Sequence, residues 1–140
     1  MATDCIFCRI LNGEIPAAYV YRDEKFVAFL DIHPINKGHV LLVPRLHAEK
    51  LVDLPEDILA AELPVAARIA RGVLSATGTT AFNLFNTNGA ASGQEVYHHH
   101  LHIIPRRPDD GMKIKVSSKD YGRGEAVELA GRIAALVRQG

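Results

Sequence analysis

The segment VYHHHLHIIPR, Val96–Arg106, carries four histidines in five positions. An imidazole can bind a metal, attack phosphorus or move a proton, and which of these it does depends on what shares its face. The β-branched and aromatic residues around the histidines predict a strand over Val96–Ile104, closed by Pro105. Strand side chains alternate, so His98, His100 and His102 fall on one face with Val96 and Ile104. Same-face neighbours lie about 6.7 Å apart along a strand. His99 falls on the other face with Tyr97, Leu101 and Ile103, and reads as a core or interface histidine with one hydrogen bond. Three aligned imidazoles repel when charged and desolvate poorly when buried, so chemistry is expected of them. Two chemistries compete. One is a three-histidine zinc site with an open position for water. The other uses one histidine as nucleophile and its neighbours as donors to an anion.

A second constellation is Cys5-Ile-Phe-Cys8. A redox CxxC follows a strand and opens a helix, and Cys5 stands too near the start for that. As metal ligands, two thiolates need two further partners for a tetrahedral zinc site. The plainer alternative is two buried free thiols. Asn88 and Gln94, in and beside the Asn-, Gly- and Ser-rich loop 86–93, can orient a phosphate or simply be loop polarity. Asp31 can accept from a ligand hydroxyl or cap a turn before Pro34. His33 reads as a solvated loop residue.

The elements that must position these residues follow from the pattern. Ala17–Tyr21 and Phe26–Leu30 read as a hairpin, and His39–Val43 as a strand stopped by Pro44. Apolar residues Leu59, Leu63, Ala66, Ile69 and Val73 recur at helical spacing from Pro55 to Ala76. Pro64 should kink or split that helix, and Gly78 should stop it. Ala81–Phe85 is a further strand, and Glu125–Val137 a C-terminal helix. The fold class is α+β, an antiparallel sheet of about five strands with two helices, in one domain over residues 1–140.

Lys+Arg and Asp+Glu are both 16, which argues against a nucleic-acid or membrane-surface partner. No apolar run reaches the roughly 20 residues of a membrane span, and no long apolar leader opens the sequence. Two cysteines make no disulfide framework, so a cytoplasmic setting is expected.

GQEVYHHHLHIIPR, Gly93–Arg106, resembles the signature of the histidine triad (HIT) superfamily, in which three histidines alternate with apolar residues. CIFCRILNGEIPA (Cys5–Ala17), FLDIHPINKGHVLLVPRLH (Phe29–His47) and NGAASGQEV (Asn88–Val96) resemble its other blocks, in order and spacing, in the small bacterial and Hint-like branch. The resemblance implies a homodimer whose two sheets join, loosely supported by the apolar outer positions Leu101 and Ile103. It implies a purine nucleotide as partner and cleavage at the α-phosphate through a nucleotidyl-histidine. Phosphoramidates, aminoacyl-adenylates and dinucleoside polyphosphates are the typical substrates. His100, the middle histidine, would be the nucleophile, with His102 and His39 as donors to phosphoryl oxygens. Ile6, Phe7, Ile10, Phe29 and Ile32 would surround the base, and Asp31 would accept from the ribose. Asn88, Gln94 and Glu95 would lie at the phosphate. Some relatives complete a structural zinc with residues matching Cys5, Cys8, His47 and His98, and no organic cofactor is implied.

Two positions depart from the family pattern. His99 replaces an apolar residue, which is expected to alter packing and not chemistry. Glu95 stands where several relatives have Ser or Thr, and an ionised carboxylate cannot donate to a leaving group. Two other readings stay open: a metallohydrolase with zinc on His98, His100 and His102, and a nucleotide-binding regulatory module.

Overall fold

A computed structural model describes residues 4–140. Five antiparallel strands form one sheet: β1 (Tyr19–Arg22), β2 (Phe26–Leu30), β3 (Val40–Pro44), β4 (Ala81–Phe85) and β5 (Leu101–Arg106), in the order β1-β2-β3-β5-β4. Three helices accompany it: α1 (Ile6–Leu11), α2 (Glu56–Thr77) and α3 (Glu125–Val137). The α+β class is as expected, and α3 has the expected bounds. The short α1 was not anticipated, because six residues are too few to show a helical period.

Alternation along the strands divides the core. Phe26, Ala28, Val40, Leu42, Leu101 and Ile103 pack beneath α2. Val27, Phe29, Leu41 and Val43 face the other way and pack with Phe7 and Ile10 of α1. Fully burying one such side chain stabilises the fold by roughly 2–3 kcal/mol. Leu101 and Ile103 are therefore core residues, 5% and 0% exposed, and not the outer positions of a dimer contact. Cross-strand partners line up in a row, Tyr19–Phe29–Leu41–His102–Phe85, which sets His102 on the α1 face.

Three expectations need correction. Pro64 neither splits nor ends α2, which runs unbroken to a left-handed cap at Gly78. Pro64 and Ala60 both lie on the exposed side, where the carbonyl freed by the missing N–H meets water. The buried stripe of α2 passes through Glu62, 3% exposed, while Leu63 stays 61% exposed. The histidine strand begins at Leu101 and runs through Pro105 to Arg106, so His98, His99 and His100 precede it.

Candidate active site

Between α1 and the sheet lies a cavity of about 570 Å³, within the range of small-ligand sites. Ile6, Phe7 and Ile10 line one wall, and Phe29, Asp31 and Ile32 another. His39, Glu95, His100 and His102 stand at its polar end. Ile15, Leu41 and Val96 add to the apolar lining and were not singled out as site residues in the sequence. His33, exposed, sits at the rim. Asn88 and Gln94 do not line the cavity. Asn88 accepts from the Leu51 N–H at 2.7 Å and donates to Asn86 at 2.6 Å. Gln94 is buried, accepting from the Gly89 N–H and donating to the Glu49 and Val96 carbonyls. Both side chains hold the loop that shapes the polar end.

The three histidines at the polar end have definable tautomers. His100 donates Nδ1–H to the His98 carbonyl oxygen at 2.7 Å, which leaves Nε2 with a lone pair. Phe7 packs edge-on against the His100 ring, centroids 4.9 Å apart. His39 accepts from the Ile35 N–H on Nδ1, so its proton sits on Nε2 and is donated to His102 Nδ1 at 2.9 Å. The remaining proton of His102 is then on Nε2, a donor. The His100 and His102 rings are neighbours, centroids 4.8 Å apart. Asp31 accepts from the His33 N–H at 2.9 Å, a turn cap, and its other oxygen lies 3.7 Å from His39 Nε2.

Burial, the largest influence on each, lowers the pKa of His39, His100 and His102. His102 is pushed down to about 4, with His100 and His39 adding to the effect and Asp31 opposing it. For His100, the bond to the His98 carbonyl and the Asp31 charge work against burial. The three rings are thus neutral at pH 7, one presenting a lone pair and one an N–H.

His98 turns to other partners. Its Nε2–H donates to the Pro44 carbonyl at 2.8 Å, so its bare Nδ1 faces Cys5, Cys8 and His47. Nδ1 lies 3.5 Å from Cys5 Sγ, 3.6 Å from Cys8 Sγ and 3.1 Å from His47 Nδ1. Cys8 Sγ is 3.4 Å from His47 Nδ1, and the four ligand atoms all lie within 4.8 Å of one another. A tetrahedral site with metal–sulfur bonds of about 2.3 Å and metal–nitrogen bonds of about 2.0 Å puts S and N about 3.6 Å apart and two N about 3.3 Å apart. The observed edges fit such a site, and these residues can hold a metal ion. Burial first, then His47, pushes His98 down to about 4, which keeps its lone pair available. With His98 engaged here and His100 Nδ1 held on a carbonyl, His98, His100 and His102 do not converge as a ligand set.

The HIT domain family model matches residues 12–109. The chain belongs to the HIT family. An uncharacterised HIT-like protein of Methanocaldococcus jannaschii is 49% identical over 125 residues, 89% of this chain and 92% of that protein. An Arabidopsis thaliana adenylylsulfatase is 40% identical over 79% of this chain and 56% of its own length. A Saccharomyces cerevisiae adenosine 5'-monophosphoramidase is 39% identical over 75% of this chain and 64% of its own length. Among solved structures, a HIT family member of Bacillus subtilis superposes with a TM-score of 0.89 at 36% identity, covering 94% of this chain and 96% of that one. A zinc-bound histidine triad protein of Mycobacterium smegmatis superposes with a TM-score of 0.74 at 34% identity, covering 98% of each.

Proposed function

We propose that this HIT domain is a purine nucleotide phosphoramidase or nucleotidyl hydrolase that works through a covalent nucleotidyl-histidine. One observation carries the reading: the 2.7 Å bond from His100 Nδ1 to the His98 carbonyl, which fixes the lone pair on Nε2 at the polar end of the cavity. The names of the yeast and plant relatives, an adenosine monophosphoramidase and an adenylylsulfatase, support a bond to an adenylyl α-phosphorus as target.

In this reading the base packs among Ile6, Phe7, Ile10, Phe29 and Ile32, and Asp31 accepts from the ribose. His100 Nε2 attacks the α-phosphorus, forming P–N as the bond to the leaving group breaks. His102 donates Nε2–H to a phosphoryl oxygen where charge accumulates, and His39 holds it in that tautomer. Glu95 stands where several relatives have a hydroxyl donor, so the leaving group takes its proton from water. The hydroxide left behind then attacks phosphorus and cleaves the P–N bond, whose electron pair returns to His100 Nε2, releasing the monophosphate and restoring neutral His100.

Zinc is the ion that suits two thiolates and two imidazoles, and the zinc-bound mycobacterial neighbour supports it. It would be held by Cys5, Cys8, His47 and His98, tying α1 and the segment that follows β3 to the base of the triad. With four protein ligands it would be structural. The active form is a homodimer, consistent with the exposed Phe82 and Leu84 on the edge strand β4.

Turnover of adenosine phosphoramidate and of diadenosine polyphosphates by one preparation tests the class. Turnover of at least one is expected, and turnover of neither contradicts the reading.

A further inference from the structure

The nucleophile precedes its strand, and this raises the question of what aims it. β5 starts at Leu101, so the peptides of His98, His99 and His100 are fixed by other means. The His99 N–H donates to the Ala48 carbonyl at 2.7 Å. The His100 carbonyl accepts from Asn86 Nδ2 at 3.0 Å. The third tie is the ring of His99, which points away from the cavity into the layer beneath α2.

His99 is 0% exposed and Glu62 of α2 is 3% exposed. His99 Nε2 lies 2.8 Å from Glu62 Oε2 and 3.1 Å from Oε1. His99 Nδ1 lies 3.4 Å from Asn86 Nδ2. The proton positions follow. The His100 carbonyl needs a donor, so Asn86 must present its amide nitrogen there. Its second hydrogen then meets His99 Nδ1, which must be an acceptor. The His99 proton is left on Nε2, directed at the Glu62 carboxylate. Asn86 Oδ1 accepts in turn from Asn88 Nδ2 at 2.6 Å. Two buried polar side chains in an otherwise apolar layer are costly unless paired, and here every member is paired.

We propose that Glu62, His99 and Asn86 are positioning residues for the HIT reaction: a buried relay from α2 that sets the His100 carbonyl and so aims the His100 ring. The proposal rests on the reading of His100 as nucleophile. Glu62 orients His99, His99 orients the Asn86 amide, and Asn86 fixes the peptide that carries the nucleophile. The relay stands on the face opposite the substrate, so it affects the chemical step and not nucleotide affinity. A misplacement of an ångström at the reacting atom costs on the order of a hundredfold in rate.

The test compares Glu62→Leu, Glu62→Gln, His99→Phe and Asn86→Ala with wild type, using adenosine phosphoramidate as substrate and AMP as ligand. Asn86 stands in a partly exposed loop, so its variant keeps the experiment interpretable if a core variant folds poorly. Glu62→Leu, His99→Phe and Asn86→Ala should lower kcat about tenfold to a hundredfold. KM and AMP affinity should stay within about threefold, since each touches no ligand. Glu62→Gln, whose amide oxygen still accepts from His99, should recover most of the loss. The double variant His99→Phe, Asn86→Ala should be no worse than its poorer single, as links of one chain behave. In the resting protein, nitrogen NMR of labelled histidine should show His100 held as one tautomer in wild type and Glu62→Gln, and mixed in Glu62→Leu and Asn86→Ala. Variants that melt lower yet keep wild-type kcat and a single His100 tautomer would overturn the relay. A wild type without turnover would instead count against the proposed function, and the NMR arm would still decide the relay.

Discussion

The Nδ1–H of His100 is held by the carbonyl oxygen of His98, its neighbour on the same face, across 2.7 Å. The two residues divide the chemistry of the motif. His98 gives its carbonyl to the His100 ring and its own ring to the cysteine cluster, where Nδ1 stands 3.5 Å from Cys5 Sγ and 3.6 Å from Cys8 Sγ. One short segment thus links a candidate metal site to the orientation of the His100 imidazole.

His39 sets the tautomer of His102, because the Ile35 N–H occupies its Nδ1 and directs Nε2–H at His102. His39→Leu should lower kcat about tenfold to a hundredfold while AMP still binds, the loss of a positioned donor to the phosphoryl oxygen. Steady-state kinetics with equilibrium AMP titration checks this. Unchanged kcat in a folded variant would remove His39 from the mechanism.

The cluster of Cys5, Cys8, His47 and His98 predicts one zinc per chain. Cys5→Ser, Cys8→Ser protein should lose most of its zinc by elemental analysis and melt at a lower temperature, since the ion bridges segments far apart in sequence. Full zinc occupancy in that variant would exclude the site.

His102 makes a prediction about pH. Its pKa in the fold is pushed down to about 4, while an unfolded histidine stays near 6.5. Unfolding therefore takes up a proton in this window. The stability this leaves intact above 6.5 drains as pH falls towards 4, then levels off. Thermal melts of wild type and His102→Asn from pH 7.5 to 4.5, at equal metal content, should show the steeper acid loss in wild type, by up to about one proton. Parallel curves would contradict a half-buried, neutral His102.

A homodimer is expected from the exposed apolar face of β4, where Phe82 and Leu84 are 41% and 43% exposed on an unpaired edge. Light scattering after size exclusion at micromolar concentration should give twice the chain mass. A clean monomer would count against it.

Much of this was legible in the sequence, because it followed from short-range periodicity. Alternation put His99 opposite His98 and His100, and the structure buries it against α2 while its neighbours face the metal group and the cavity. The C-terminal helix follows from spacing and the end of α2 from Gly78, which the structure shows as a left-handed cap. What escaped depends on contacts distant in sequence. Nothing local marks Glu62 as buried, since only the ring of His99, 37 residues away, makes its burial affordable. The start of β5 at Leu101 was missed because β-propensity continues back to Val96, whereas the partner strand β3 meets it from Leu101 onward. From its loop Asn88 reads as able to orient a phosphate or as plain loop polarity, and in the structure the Leu51 N–H and Asn86 occupy it.

Trapping the covalent state tests whether His100 is the nucleophile. Rapid quench of wild type with adenosine phosphoramidate should yield a nucleotidyl adduct, stable to base and labile to acid as a P–N bond is. Mass spectrometry should place it on the peptide containing His100. His100→Ala should bind AMP near normally, form no adduct and lose several orders of magnitude in turnover. Substantial turnover by pure His100→Ala protein, or an adduct on another residue, would contradict the account.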